Sequence, residues 1–170
     1  SVLITPAHDV LEDWAILQWI DEQYVTHHSS IAELSKVLGT YPAVRRTYRK
    51  WISELVESDP GTADELFQTV LREYGLPAQF RDDTLISLLR SSASSAFLER
   101  HSTELFANDK QLLQRVIHLL RVACVTTPTW LETTTVYTSL FNVPDGPAWA
   151  CVLRLVQCNL QAFTDNDRVI

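Results

Sequence analysis

Apolar residues recur three and four positions apart along most of the chain, which is the spacing that places them on one face of an α-helix. The first such segment runs from about Asp9 to Val25 and has Glu12 and Asp13 in its first turn, where the helix dipole favours acids. A later segment, from about Asp109 to Val125, is apolar around most of its circumference, which predicts a central helix. The pattern therefore predicts an all-α fold, either an irregular multi-helix bundle or a short helical solenoid of about 7–9 helices.

Polar residues and prolines predict where the helices begin and end. Four helix caps are expected, at Ser30 with Glu33, Thr62 with Glu65, Asp82 or Asp83, and Asn108. The serine-rich run 91–95 predicts a break between helices, and Pro147 fits the first position of the last helix. The threonine-rich segment 126–143 predicts a loop with a short helix or strand piece.

The composition is that of a globular protein without membrane segments. The chain has 170 residues, of which 46% are hydrophobic, and its formal net charge is −7. That charge opposes attraction to nucleic acid or anionic membranes, and no apolar run reaches the roughly 20 residues that cross a bilayer. Cys124, Cys151 and Cys158 lie in apolar helical context without metal-ligand spacing. We therefore expect a cytoplasmic protein with reduced cysteines, no membrane contact and no nucleic-acid partner.

The familiar catalytic motifs are missing from the sequence. It contains no glycine-rich phosphate loop, no G-x-S-x-G turn and no H-E-x-x-H pair, and it has four glycines in total. We therefore predict no catalytic residues, no metal ligands and no cofactor held by this chain, and we do not expect it to be an enzyme by itself.

One cluster of basic residues stands out against the acidic background, formed by Arg45, Arg46, Arg49 and Lys50. Helical spacing places these residues on neighbouring rows of one helix. Phosphate or nucleic-acid contact is one interpretation of this cluster. The others are a solvated face paired with Glu54 or Glu57, and docking to an acidic neighbouring domain.

Two aromatic residues of the first helix are further candidates for an interaction face. Trp14 and Trp19 are five positions apart and so lie on different faces of the helix, which predicts that one is in the core and the other meets a second surface. Trp19 and Tyr24, with the basic cluster, are the residues we expect to contact a protein partner or a second copy.

The amino-terminal string from Ile4 to Ala15, ITPAHDVLEDWA, follows the short apolar stretch 2–5. It resembles the end of the winged-helix domain in STAND-type signalling NTPases, the group that includes NACHT and NB-ARC ATPases. There a strand leads into a His-Asp pair that opens a helix. The residue before the pair is Ala7 here, where many members have methionine or an aromatic residue.

The resemblance implies roles for individual residues. His8 would contact the phosphates of bound ADP and sense the nucleotide, Asp9 would cap the helix or orient the histidine, and residues 10, 11, 14 and 15 would pack the winged-helix core. A helix start with an imidazole donor suits an anionic group. The alternative is a histidine that begins a helix and meets solvent.

The resemblance also implies an organisation and a function. Residues 1–27 would end a winged-helix-like element, and residues 28–170 would form a helical bundle packed with it as one unit. Because the sequence contains no methionine, even at position 1, we expect it to be part of a longer protein whose phosphate loop and Mg²⁺ motif precede Ser1. ADP or ATP with Mg²⁺ would be the cofactor of that protein, and its other domains would be the partners.

The predicted function is therefore that of a non-catalytic regulatory or linker region, which couples nucleotide state to sensing or oligomerisation in a signalling or bacterial defence ATPase. The alternative is a free-standing helical adaptor that binds a protein partner.

Overall fold

The computed structural model describes residues 6–28, 30–73, 75–127 and 142–162. Over these residues the prediction of an all-α multi-helix bundle is confirmed, with nine α-helices and one pair of two-residue strands. The helices are α1 Pro6–His27, α2 Ile31–Leu38, α3 Pro42–Ser58, α4 Pro60–Arg72, α5 Ala78–Arg90, α6 Ser94–Arg100, α7 Ser102–Phe106, α8 Gln111–Ala123 and α9 Pro147–Cys158. The strands are β1 Val125–Thr126 and β2 Val143–Pro144.

Helix α1 begins earlier than its sequence pattern predicts. Its first residue is Pro6, so the expected start near Asp9 is three positions late. Proline fits the first helical position, since its fixed φ is helical and its missing N–H would have no helical partner there. Asp9 therefore lies in the helix, as its fourth residue, and not at a cap position. The predicted strand at 2–5 lies outside the described residues.

Of the predicted helix caps, one is confirmed and another is wrong. Ser30 caps α2 as predicted, because its hydroxyl accepts a hydrogen bond from the backbone N–H of Glu33 at 3.4 Å. The cap predicted at Thr62 is wrong. Asp59 caps α4 instead and accepts from the backbone N–H of Thr62 at 3.1 Å, because Pro60 can occupy the first helical position directly after it.

Two further boundaries differ from the prediction. Asp82 and Asp83 cap no helix, because α5 begins at Ala78, which places both in its second turn. Asn108 begins a left-handed 3-10 turn, Asn108–Lys110, in which all three residues have positive φ, and α8 starts only at Gln111. The breaks around residues 91–93 and the start of α9 at Pro147 are confirmed.

The chain divides into two compact units, Ser1–Leu88 and Leu89–Ile170. In the first unit α3 is the central element, since it packs against both α1 and α4, while α2 packs against α1 and α4. Its core contains side chains that are less than 2% exposed, among them Ile20, Leu34, Ile52, Phe67 and Val70. Each such apolar side chain stabilises the fold by about 1.5–3 kcal/mol relative to its exposed state.

In the second unit, α6 packs against α9 and α7 against α8, while α8 also contacts α9. The carbonyl of Cys124, at the end of α8, accepts from the indole Nε1 of Trp149 at 2.6 Å and from the backbone N–H of Asp145 at 3.0 Å. These bonds hold the start of α9 beside the antiparallel pair of β1 and β2. Most of the threonine-rich segment between the strands lies outside the described residues. The domain division predicted at residue 27 stays a prediction.

Candidate functional site

The amino-terminal half of α1 carries the residues for which the resemblance implies a role. His8 and Asp9 lie in the first turns of its backbone, and the side chains of residues 6–10 are outside the described part of the structure. Leu11 and Trp14 are 67% and 65% exposed, and Ala15 is exposed as well. These three are among the residues that were expected to pack a winged-helix core, and no described part of the chain buries them.

The carboxyl-terminal half of α1 is different, because it contributes a buried apolar side chain and an aromatic contact with α3. Ile20 is fully buried, and Tyr24 packs against Trp51 with ring centroids 5.0 Å apart. The indole Nε1 of Trp51 donates to Asp21 at 3.2 Å. Burial raises the pKa of the Tyr24 hydroxyl above its ordinary value, because the half-buried ring disfavours the charged form. Tyr24 is therefore part of the packing between the two helices, and Trp19 is half-buried on the same helix.

The predicted basic cluster is paired with carboxylates throughout. On its outer side, Arg46 donates to Asp13 of α1 at 2.6 Å, and Lys50 lies 3.9 Å from Glu54. The hydrogen bond from Arg46 holds the pKa of Asp13 below its ordinary value of 3.8. The pairing with Glu54 is the one that sequence reasoning proposed, whereas the partner of Arg46 comes from another helix.

On the inner side of the cluster, Arg45 and Arg49 share one carboxylate of α5. Arg45 donates to Asp83 through Nε at 2.6 Å and through Nη2 at 3.0 Å, and Nε of Arg49 lies 3.7 Å from the same carboxylate. The Asp83 side chain is 3% exposed, against 31% for Arg45 and 41% for Arg49. The pair with Arg45 is bidentate, which is the strongest geometry for an arginine and a carboxylate. Sequence reasoning expected Asp83 at a helix cap and so missed this role.

A pocket of about 200 Å³ opens beside this ion pair. It lies among the last turn of α2, the turn into α3, and the first turns of α5. Its lining residues are Ser35, Lys36, Leu38, Gly39, Thr40, Val44, Arg45, Tyr48, Pro77, Gln79, Phe80 and Asp83. Of these, sequence reasoning had named only Arg45 as an expected contact residue, since the pocket forms only when α5 packs beside the consecutive helices α2 and α3.

Tyr48 and Phe80 are the two aromatic residues that line the pocket. Their rings stack with centroids 4.9 Å apart, and Tyr48 is 2% exposed. The Tyr48 hydroxyl shares a hydrogen bond of 2.9 Å with the hydroxyl of Thr84. Burial raises the pKa of the Tyr48 hydroxyl far above its ordinary value, so this group stays protonated under all physiological conditions.

The comparisons with known proteins leave the sequence resemblance untested. The sequence matches no protein-family model and no curated protein sequence. Among the described residues, no group of three or more His, Cys, Asp or Glu side chains could hold a metal ion. Within that same part of the chain, no helix is both long and apolar enough to cross a membrane. Two sites remain for functional argument, the exposed half of α1 and the pocket beside Asp83.

Proposed function

We propose that this chain is a non-catalytic helical regulatory region of a cytoplasmic STAND-type ATPase, in which α1 docks onto the nucleotide-binding part of the same protein. The observation that carries the proposal is the contrast between the two halves of α1. The half that contains Leu11 and Trp14 is exposed, although one helical turn brings these two large apolar side chains together on the same face. The half that contains Ile20 and Tyr24 is fixed to α3.

Exposure of two large apolar residues on one face is typical of a surface that another element covers. The His-Asp pair lies in the first turns of the same helix, just before these residues, where backbone N–H groups and the helix dipole favour an anion. In this proposal His8 contacts the phosphates of ADP bound with Mg²⁺ by the ATPase, and Asp9 orients the histidine. Leu11 and Trp14 pack against the attached domain.

The contacts between α1 and α3 provide the route by which nucleotide state reaches the bundle. Arg46 and Asp13 form an ion pair across the two helices, and Tyr24 and Trp51 pack further along the same helix pair. A ligand shifts a conformational equilibrium to the extent that it binds one state better than the other. Nucleotide bound at His8 would therefore favour one position of α1, and α3 would follow because it is tied to α1 by these contacts.

The test uses the longer protein that, in this proposal, contains this chain. We expect Trp14→Ser to speed ADP release, because it removes an apolar contact that holds α1 against the nucleotide-binding part of the protein. Leu153→Ser is the matched control, since Leu153 is equally exposed at 61% but lies on α9. An upstream coding sequence without a G-x-x-x-x-G-K-[ST] loop, or ADP release that Trp14→Ser leaves unchanged, would contradict the proposal and favour a free-standing adaptor.

A further inference from the structure

The pocket in the first unit has the form of a small-molecule site. Its lining includes the apolar side chains of Leu38, Val44, Pro77 and Phe80 and the ring of Tyr48. Its volume of about 200 Å³ exceeds the roughly 150 Å³ of an engineered cavity that takes up benzene. A single six-membered ring with a short substituent fits this space, and a nucleotide does not.

The charge that the pocket presents to solvent is positive. The side chain of Lys36 is 68% exposed and that of Arg45 is 31% exposed, whereas that of Asp83 is 3% exposed and already bound by Arg45. Glu33, which pairs with Lys36, does not line the pocket, and such an exposed pair is weak enough for Lys36 to turn toward a ligand. Asp82, which does not line the pocket either, stabilises the charge on Arg45 less than Asp83 does.

Hydrogen-bond donors at the rim remain for a ligand. Arg45 has five N–H donors; two bind Asp83, and Gln79, with its amide oxygen toward the guanidinium, accepts from Nη1 and Nη2. This arrangement leaves one N–H of Nη1, and two more N–H groups become available when the exposed Gln79 side chain turns away. Pro77 and Gln79 also place the start of α5 at the rim, where helix N–H groups have no helical acceptor.

We propose that this pocket binds a small aromatic carboxylate, with the ring against Tyr48 and Phe80 and the carboxylate at Arg45 and Lys36. A planar carboxylate matches the guanidinium fork, and a single negative charge matches the modest excess of positive charge at the rim. The proposal concerns a different site from the exposed half of α1 and does not depend on the function proposed for it.

The experiment titrates the purified chain with phenylacetate and, separately, with its neutral analogue phenylacetamide, and follows backbone amide signals by NMR. We expect phenylacetate to shift the signals of Gly39, Thr40 and Gln79 with a Kd of about 0.1–10 mM, the range for a ligand of this size. Phenylacetamide should bind at least about threefold more weakly, because it lacks the charge that Lys36 and Arg45 attract.

Two variants locate the binding. Val44→Phe should abolish the shifts by filling the pocket that Val44 lines, whereas Val122→Phe, at a position of α8 that is 60% exposed, should leave them intact. Lys36→Gln should weaken the binding of phenylacetate about twofold to fivefold, as expected for one exposed charge, and leave the binding of phenylacetamide unchanged. Lys50→Gln is its control, since Lys50 is similarly exposed on α3 but does not line the pocket.

Three results would overturn the proposal: no shifts with phenylacetate at about 20 mM, twice the upper end of the expected range; equal affinity for the neutral amide; or shifts that persist in Val44→Phe. Because these measurements contain no nucleotide and no other domain, their failure leaves the proposal for α1 unaffected.

Discussion

Replacing Asp83 by asparagine removes the carboxylate that two arginines of α3 share. The side chain accepts two hydrogen bonds from Arg45, at 2.6 and 3.0 Å, and faces Arg49 at 3.7 Å. It is 3% exposed, so solvent cannot replace these contacts in the folded protein. The asparagine oxygen can accept one of the bonds, but its NH2 group then faces the guanidinium and the negative charge is gone.

The size of the loss follows from the burial of the partners. Breaking a fully buried ion pair costs about 3–5 kcal/mol because an uncompensated charge stays buried. Arg45 and Arg49 are 31% and 41% exposed, so each can regain part of its hydration by turning outward. We therefore expect Asp83→Asn to lower the free energy of unfolding by about 2–3 kcal/mol. This is the magnitude expected when the bidentate pair between Arg45 and Asp83 is lost.

Equilibrium urea unfolding, followed by circular dichroism and tryptophan fluorescence, measures this change. Glu54→Gln is the control, since it removes the carboxylate of an exposed pair with an N–O distance of 3.9 Å and should cost no more than about 0.5 kcal/mol. If Asp83→Asn were as mild as Glu54→Gln, the contact between α3 and α5 would not depend on this ion pair, and the reasoning from burial would be refuted.

Three further predictions concern other parts of the chain. Tyr48→Phe removes the hydrogen bond to Thr84 and should cost about 0.5–1.5 kcal/mol in the same urea assay, whereas Tyr41→Phe, at a position 75% exposed, should cost nothing measurable. Lys110 has φ +61°, so Lys110→Gly should be more stable than Lys110→Gln by about 1 kcal/mol; equal melting temperatures would show that the left-handed backbone carries no strain. The pKa of Asp13 is lowered on folding. The ionised Asp13 carboxylate therefore stabilises the folded state above pH 3.8, and this stabilisation disappears as the pH falls through the lower folded-state pKa. Between pH 7 and pH 2 the melting temperature should therefore fall less in Asp13→Asn than in the unmodified chain. Identical dependence of the melting temperature on pH would refute a stabilising role for the Asp13 carboxylate.

The helices could be predicted from the sequence because their signals are local. Ser30 and Glu33 lie three residues apart and form the expected cap, and Pro147 begins the helix that it was expected to begin. The errors occurred where two local signals competed. Asp59 ends α3 and also caps α4, so the next polar residue, Thr62, was mistaken for the cap. Three successive left-handed residues before α8 were not foreseen, since none of them is glycine.

The candidate sites were harder to predict, because their residues come together from distant parts of the chain. Arg45 and Asp83 are separated by 38 positions, and Arg46 and Asp13 by 33. Helical spacing indicated correctly that the basic residues lie on neighbouring rows, but it contains no information on which carboxylate of another helix faces them. The exposure of Trp14 likewise depends on which elements cover α1, which no pattern within one helix reveals.

The rate of ADP release from the longer protein that we propose contains this chain tests the central claim most directly. A hydrogen bond to a charged phosphate contributes about 1.5–3 kcal/mol, so His8→Ala should speed release roughly tenfold to hundredfold. His28→Ala is the matched control, because His28 is exposed just after α1 and its ring Nδ1 hydrogen-bonds to the backbone carbonyl of Val25. Faster release in His8→Ala alone is the predicted result. Equal release rates in the unmodified protein and both variants would contradict a nucleotide-sensing role for α1.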